Sequence, residues 1–372
     1  MYEGPHTLGE RCFSEFAATA LMMFLGLGTL GNELLAKTKG HGMGFFAVAF
    51  GFAFALFVSL ICFNHISANM NPASVLGLWV MGQMSFLDCL ALTVCICLGA
   101  ILGSFGVYIY HLPHFVTLPE PAPVNAEDAL LRSRDAVSRN ALNIASYDTR
   151  EENTGVGPGD ALKEFHDYIT GLADGENDAD NESDAERPLL DNDSAHEDES
   201  QHKAFVRRRT MTMRLERSER LRNEALYRAA VVADQNAKLS VFATRPGIRS
   251  PIFNWVVEFT GTAVMMVSMQ LLEKRGAGLS QDGLILWNTL KALYSAFIIA
   301  VLILGLGGPT GLAMNPARDI CARLVHWLLP IPGKGPSEWD YQWIPITACY
   351  AGALAGAGVV IAIDATGFGA SI

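Results

Sequence analysis

The apolar positions of this 372-residue chain gather into six long runs, at about 12–32, 43–63, 86–110, 252–272, 284–306 and 343–363. Each is near the roughly 20 residues a helix needs to cross about 30 Å of hydrocarbon. After the second run of each half comes a further apolar stretch, too short and too broken to cross alone. Such a stretch is tolerated at membrane depth only where protein buries it or where it lines a cavity. The pattern therefore predicts an all-α membrane protein with six transmembrane helices and two re-entrant half-helices. Three spans per half is an odd number, so the second half enters the bilayer inverted.

The two short stretches carry the same tripeptide. Asn71-Pro72-Ala73 lies in SANMNPAS, and Asn315-Pro316-Ala317 lies in TGLAMNPARD. Each follows a glutamate set in an apolar run, Glu15 in CFSEFAATALMMF and Glu258 in WVVEFTGTAVMMV, by 56 and 57 residues respectively. A tripeptide recurring once is weak, but tripeptide and glutamate at a matched offset indicate an internal repeat. Matching interrupted segments in two inverted halves point to a shared site near the membrane midplane.

The chemistry of that site follows from the residues. Proline cannot continue a helix but is preorganised for the first turn of a new one, so each Asn-Pro-Ala starts a half-helix. Helix N-termini carry roughly +0.5 elementary charge, and two aimed at one place oppose the passage of protons and cations. The amides of Asn71 and Asn315 can donate to a passing oxygen while their carbonyls are held by backbone. Arg318, three residues past Asn315, is an intramembrane charge. Such a group faces a wet cavity or a bundle interior because burial in lipid is costly, and it is the candidate selectivity filter.

Composition fits this solvent: half the residues are hydrophobic and 17% are charged. The net charge of −11 is concentrated in an insert at 119–250, with 26 acidic and 18 basic residues. Its acidic part, including GENDADNESDAERPLLDNDSAHEDES, cannot bury enough apolar area to offset chain entropy and reads as disordered. Residues 203–240 are rich in helix formers with alternating charge and read as a solvated or surface-lying helix. The domains expected are a first channel repeat at 1–118, the insert, and a second repeat at 251–372. The seven cysteines form no metal set with the nine histidines and read as core packing. No nucleophile–base pair, metal set or nucleotide loop is present, so an enzyme and a cofactor are not expected. Gly99 with Gly103 and Gly352 with Gly356, each four apart, read as close-packing faces between helices.

The paired motifs, the two glutamates and the hydropathy pattern resemble the major intrinsic protein family, the aquaporins and aquaglyceroporins. The resemblance covers about 240 residues, all but the insert, and implies the aquaporin-like fold. Asp319 after the arginine, Arg323 four residues on, Pro345-Ile346 in the sixth span and Tyr108 near the end of the third resemble the glycerol-conducting branch. It implies that Glu15 and Glu258 accept hydrogen bonds from the re-entrant loops, that Asp319 holds the loop after Arg318, and that Leu312 joins Arg318 in the filter. The loop His65 to Met70 is one residue shorter than the family form. The second-span filter residue is therefore Phe52 or Phe50, according to the anchor used, and the fifth-span residue is Ile303 or Leu304. The same shortening bears on the carbonyl ladder of Ser67, Ala68 and Asn69.

The function implied is a passive channel for glycerol, water and other small uncharged solutes that excludes ions. The alternatives are a water-selective pore or a non-conducting scaffold of the same fold using the insert to bind. The partners implied are those solutes, the lipid bilayer and three further copies in a homotetramer, with no nucleic acid. The protein is expected in the plasma membrane, or else in an intracellular vesicle membrane. The resemblance places both termini in the cytosol and the insert outside, in keeping with sequons at Asn181 and Asn192. The RRRT sequence ending at Thr210, similar to a basophilic kinase site, points the other way.

Overall fold

A computed structural model describes residues 6–119, 193–276 and 280–367. The regular structure of the described residues is helical, in the order α1 (Leu8–Leu34), α2 (Phe45–Phe63), α3 (Pro72–Val80), α4 (Phe86–Tyr110) and α5 (Leu112–Phe115). There follow α6 (Asp193–Phe242), α7 (Pro251–Lys274), α8 (Gln281–Leu306), α9 (Pro316–Leu328) and α10 (Trp343–Ala365). Five of these, α1, α2, α4, α7 and α10, are long and apolar enough to cross a membrane. The sixth expected span, α8, is apolar only over Leu290–Leu306, because Gln281, Asp282 and Asn288 occupy its first turns.

Local chemistry sets the helix starts. At α1, Thr7 Oγ1 accepts from the Glu10 amide at 3.3 Å, and the Thr7 amide donates to the Glu10 carboxylate at 2.7 Å. This reciprocal box satisfies two of the donors a helix start leaves free. Ser85 and Ser280 cap α4 and α8, and Pro251 opens α7 at a position where no amide is missed.

The two halves pack alike. Helix α1 lies against α4, and α7 lies against α10, while α2 and α8 pair across the middle. Glycines permit the first two contacts. A Cβ on Gly99 would sit 2.3 Å from the Phe16 carbonyl, and one on Gly352 would sit 2.4 Å from the Phe259 carbonyl. In lipid, helices associate by such backbone approach and not by hydrophobic drive. A buried ion pair, Arg11 to Asp88 at 2.9 Å, further ties α1 to α4.

The described residues up to Leu118 and from Asp234 onward form one compact unit, and the earlier part of α6 belongs to another. Composition alone extends the insert to residue 250. The structure instead places 234–250 in the unit that holds the spans, with Leu239, Val241 and Phe242 at most 2% exposed. That run is too short to stand out from the charged helix before it. Helix α6 also starts earlier and ends later than the expected 203–240. Residues 120–192, with Asn181 and Asn192 of the two sequons, lie outside the described residues. The end of the acidic stretch, 193–200, is helical in α6 where disorder is expected, and Arg207, Arg208, Arg209 and Thr210 are exposed on the same helix.

Candidate functional site

The site is built where α3 and α9 meet end to end. Asn71 and Asn315 are their N-caps, with nearly equal backbone angles (φ −149°, ψ 113° and φ −147°, ψ 111°). Each side-chain carbonyl accepts from the amide two residues on, at Ala73 and Ala317, both at 3.0 Å. Pro72 and Pro316 fill the first helical positions, where a missing N–H costs nothing. The side-chain amides cross between the halves: Asn71 Nδ2 donates to the Met314 carbonyl at 2.8 Å, and Asn315 Nδ2 to the Met70 carbonyl at 2.7 Å. Met70 and Met314 reach this position with φ of 54° and 50°, a conformation that costs a non-glycine residue about 1–3 kcal/mol. Each NH₂ has a second hydrogen, and both asparagines line the same cavity.

Two buried glutamates hold the approach loops. Glu15 accepts from the amides of Asn69 (2.7 Å) and Met70 (2.8 Å) and from the Ser67 hydroxyl (2.6 Å). Glu258 accepts from the amides of Ala313 (2.9 Å) and Met314 (3.3 Å) and from the Thr310 hydroxyl (2.7 Å). Each carboxylate thereby satisfies loop donors that the descent into the membrane removes from water. The Ser67 carbonyl is itself occupied by the Ser14 hydroxyl at 2.6 Å, while Ala68 and Asn69 line the cavity.

A cavity of about 450 Å³ runs past these groups. Along it, Arg318, Leu312, Phe52 and Ile303 come together. The Arg318 guanidinium lies 5.3 Å from the centre of the Phe52 ring, a cation–π distance. Of the paired alternatives, Phe50 instead contributes to a packing crevice between α2 and α8, and Leu304 is 39% exposed. Leu312 adopts φ 48° and nests against Gly261, where a Cβ would meet its Cδ1 at 2.4 Å. Phe52 similarly fills the space left at Gly26, with a Cβ-to-ring distance of 2.8 Å.

Behind Arg318 stands a polar bracket with partners the sequence does not announce. Arg318 Nη1 donates to the Phe242 carbonyl at 3.1 Å. Asp319, fully buried, accepts from the amide and hydroxyl of Thr244 and from Arg323 Nε at 3.0 Å. Arg323 also donates to the carbonyls of Thr244 and Ser337. Asp319 thus binds the end of the insert and not only its own loop. Burial pushes the neighbouring Tyr341 phenol up and the Lys334 ammonium down. Tyr108 packs against Phe115 with ring centres 5.5 Å apart and planes tilted by 46°, Pro345 is buried in the first turn of α10, and Ile346 is half-buried. None of these three is among the residues lining the cavity. Among the described residues no His, Cys, Asp and Glu set could hold a metal.

Comparison with known proteins gives the kinship. The family model described as major intrinsic protein matches residues 6–138 and 224–360. The chain belongs to the major intrinsic protein family. It is an integral membrane protein of that family's fold. This major intrinsic protein is 26% identical over 345 residues to a probable glycerol uptake facilitator protein of Thermotoga maritima, covering 92% of this chain and 95% of the relative. It is 23% identical over 343 residues to a glycerol facilitator-aquaporin of Lactococcus lactis subsp. cremoris, covering 90% and 91%. The crystal structure of the aquaglyceroporin from Plasmodium falciparum superposes with a TM-score of 0.54 at 15% identity, over 95% of each chain.

Proposed function

We propose that this major intrinsic protein is a passive channel for glycerol and other small uncharged solutes, permeable to water and closed to ions and protons. One observation carries the reading: along a single cavity, Arg318 faces an apolar wall of Phe52, Leu312 and Ile303 before the crossed asparagine pair. A polyol in single file has the same two-sided character, with carbons on one edge and hydroxyls on the other. Arg318 supplies charged donors to the hydroxyl edge, and the apolar wall accepts the carbons without competing for hydrogen bonds.

Ion exclusion rests on the half-helix N-termini at Asn71 and Asn315 together with Arg318, three sources of positive potential on one path. A water pinned by both asparagine amides is oriented by donors on two sides and relays no proton along the file. The glycerol facilitators among its relatives support the solute class. Assembly as a homotetramer in the plasma membrane belongs to the same proposal.

The test is stopped-flow light scattering of proteoliposomes in a glycerol gradient, with ionic current recorded in planar bilayers. Shrinkage followed by re-swelling well above the lipid control, with no current, is the expected result. Shrinkage without re-swelling would reduce the reading to a water channel, and measurable current would overturn ion exclusion.

A further inference from the structure

At the end of the cavity away from Arg318, two charged side chains line the lumen. Lys291 of α8 contacts both oxygens of Glu273 of α7, at 3.0 and 2.9 Å. Lys291 precedes Ile303 by twelve residues on one helix, about 18 Å of rise. The pair is therefore remote from the filter.

Three observations set it apart from an ordinary surface ion pair. Lys291 is only 15% exposed although it borders the lumen, while Glu273 is 59% exposed. A partly exposed pair of this kind adds little stability, so bracing the α7–α8 hairpin is a weak reason for placing charge in a pore wall. The repeat also does not require it. The 243-residue offset between Glu15 and Glu258 maps Glu273 onto Leu30 and Lys291 onto Val48, and both of these aliphatics line the same cavity.

An ammonium has three donors. Two are spent on the Glu273 oxygens, which leaves one for the lumen, beside a carboxylate that keeps unused lone pairs. Donor and acceptor then lie about one hydrogen-bond length apart. A vicinal diol presents two oxygens at a similar separation, and can accept from Lys291 with one hydroxyl while donating to Glu273 with the other. A 1,3-diol holds its oxygens further apart in its extended conformers, and a single hydroxyl or water that bridges the pair brings one oxygen to it where a vicinal diol brings two.

We propose that Lys291 and Glu273 form a docking site for vicinal diols at the mouth opposite the filter, and so determine specificity within the polyol class. This rests on the channel reading above. The experiment uses the full chain in proteoliposomes and measures permeability to the isomers 1,2-propanediol and 1,3-propanediol, each normalised to water. The parent protein favours the 1,2 isomer by about fivefold, the size of one net hydrogen bond. Lys291→Met and Glu273→Gln each bring the ratio close to one, and Lys291→Arg retains most of it. Glu273→Gln carries the test independently should Lys291→Met fail to assemble. A parent without isomer preference, or a preference that Lys291→Met and Glu273→Gln leave unchanged, overturns the proposal. Failure of the channel reading looks different: the parent then passes neither diol nor glycerol, and the docking site falls with it.

Discussion

The carbonyl of Phe242 accepts a hydrogen bond from Arg318 Nη1 at 3.1 Å, across 76 residues of sequence. Phe242 is the last residue of α6, the helix that emerges from the charged insert. The end of the insert therefore holds the Arg318 guanidinium, and Thr244 two residues later holds Asp319 behind it.

This relationship divides the insert functionally. Replacing 120–232 by a flexible linker should leave assembly and glycerol flux within about twofold of the parent, since long surface insertions cost little closure entropy. Extending the deletion to 245 removes the Phe242 carbonyl and both Thr244 donors, and should cost most of the solute selectivity. Stopped-flow flux of the two deletions, compared after checking monodispersity in detergent, decides the matter. Equal flux and selectivity in both would mean that α6 does not hold the filter.

Arg318 and Glu258 are both buried charges, but they fail differently. Arg318→Ala removes lumen donors while the bundle keeps its glycine contacts, so assembly persists and larger or cationic solutes enter. Glu258→Ala strands the amides of Ala313 and Met314 and the Thr310 hydroxyl, at about 1–3 kcal/mol each. It should lower yield and thermal stability before any change in selectivity is measurable. An Arg318→Ala protein that cannot assemble, beside a Glu258→Ala protein of normal stability, would invert these roles.

Gly261 makes room for Leu312 beside the cavity. Its α-carbon faces Leu312, where a methyl group would approach Cδ1 to 2.4 Å. Gly261→Ala should push Leu312 toward Arg318 and reduce glycerol flux at least about tenfold, with a smaller loss for water. The same variant combined with Leu312→Ala should recover glycerol flux. Unaltered glycerol permeability in Gly261→Ala would show that the leucine relaxes away from the lumen.

Asp319 and Arg323 are both inaccessible to solvent and joined at 2.9 Å. Removing one partner of a buried pair costs about 3–5 kcal/mol, because the other charge is left uncompensated. Asp319→Ala should therefore lower the melting temperature more than Thr244→Val, which deletes a single hydroxyl. Comparable melting temperatures for the two variants would place the weight of the bracket on Thr244.

The chain by itself determined five of the six expected membrane spans, the repeat and the half-helices, because each depends on short-range chemistry. Hydropathy over 20 residues fixes a span, and Asn followed by Pro caps and starts a helix from its own atoms. The glutamates were legible as buried groups for the same reason, since a charge inside an apolar run must find donors. Packing decided the rest. The choice between Phe52 and Phe50, or Ile303 and Leu304, is a rotation of about 160° or 100° around one helix, and apolar composition does not encode it. The crossed Asn71–Met314 and Asn315–Met70 bonds join residues 243 and 245 apart. The Phe242 carbonyl is a backbone group that any residue could present. Lys291 and Glu273 lie 18 residues apart in sequence, and only the packing of α7 against α8 brings the two together on one cavity.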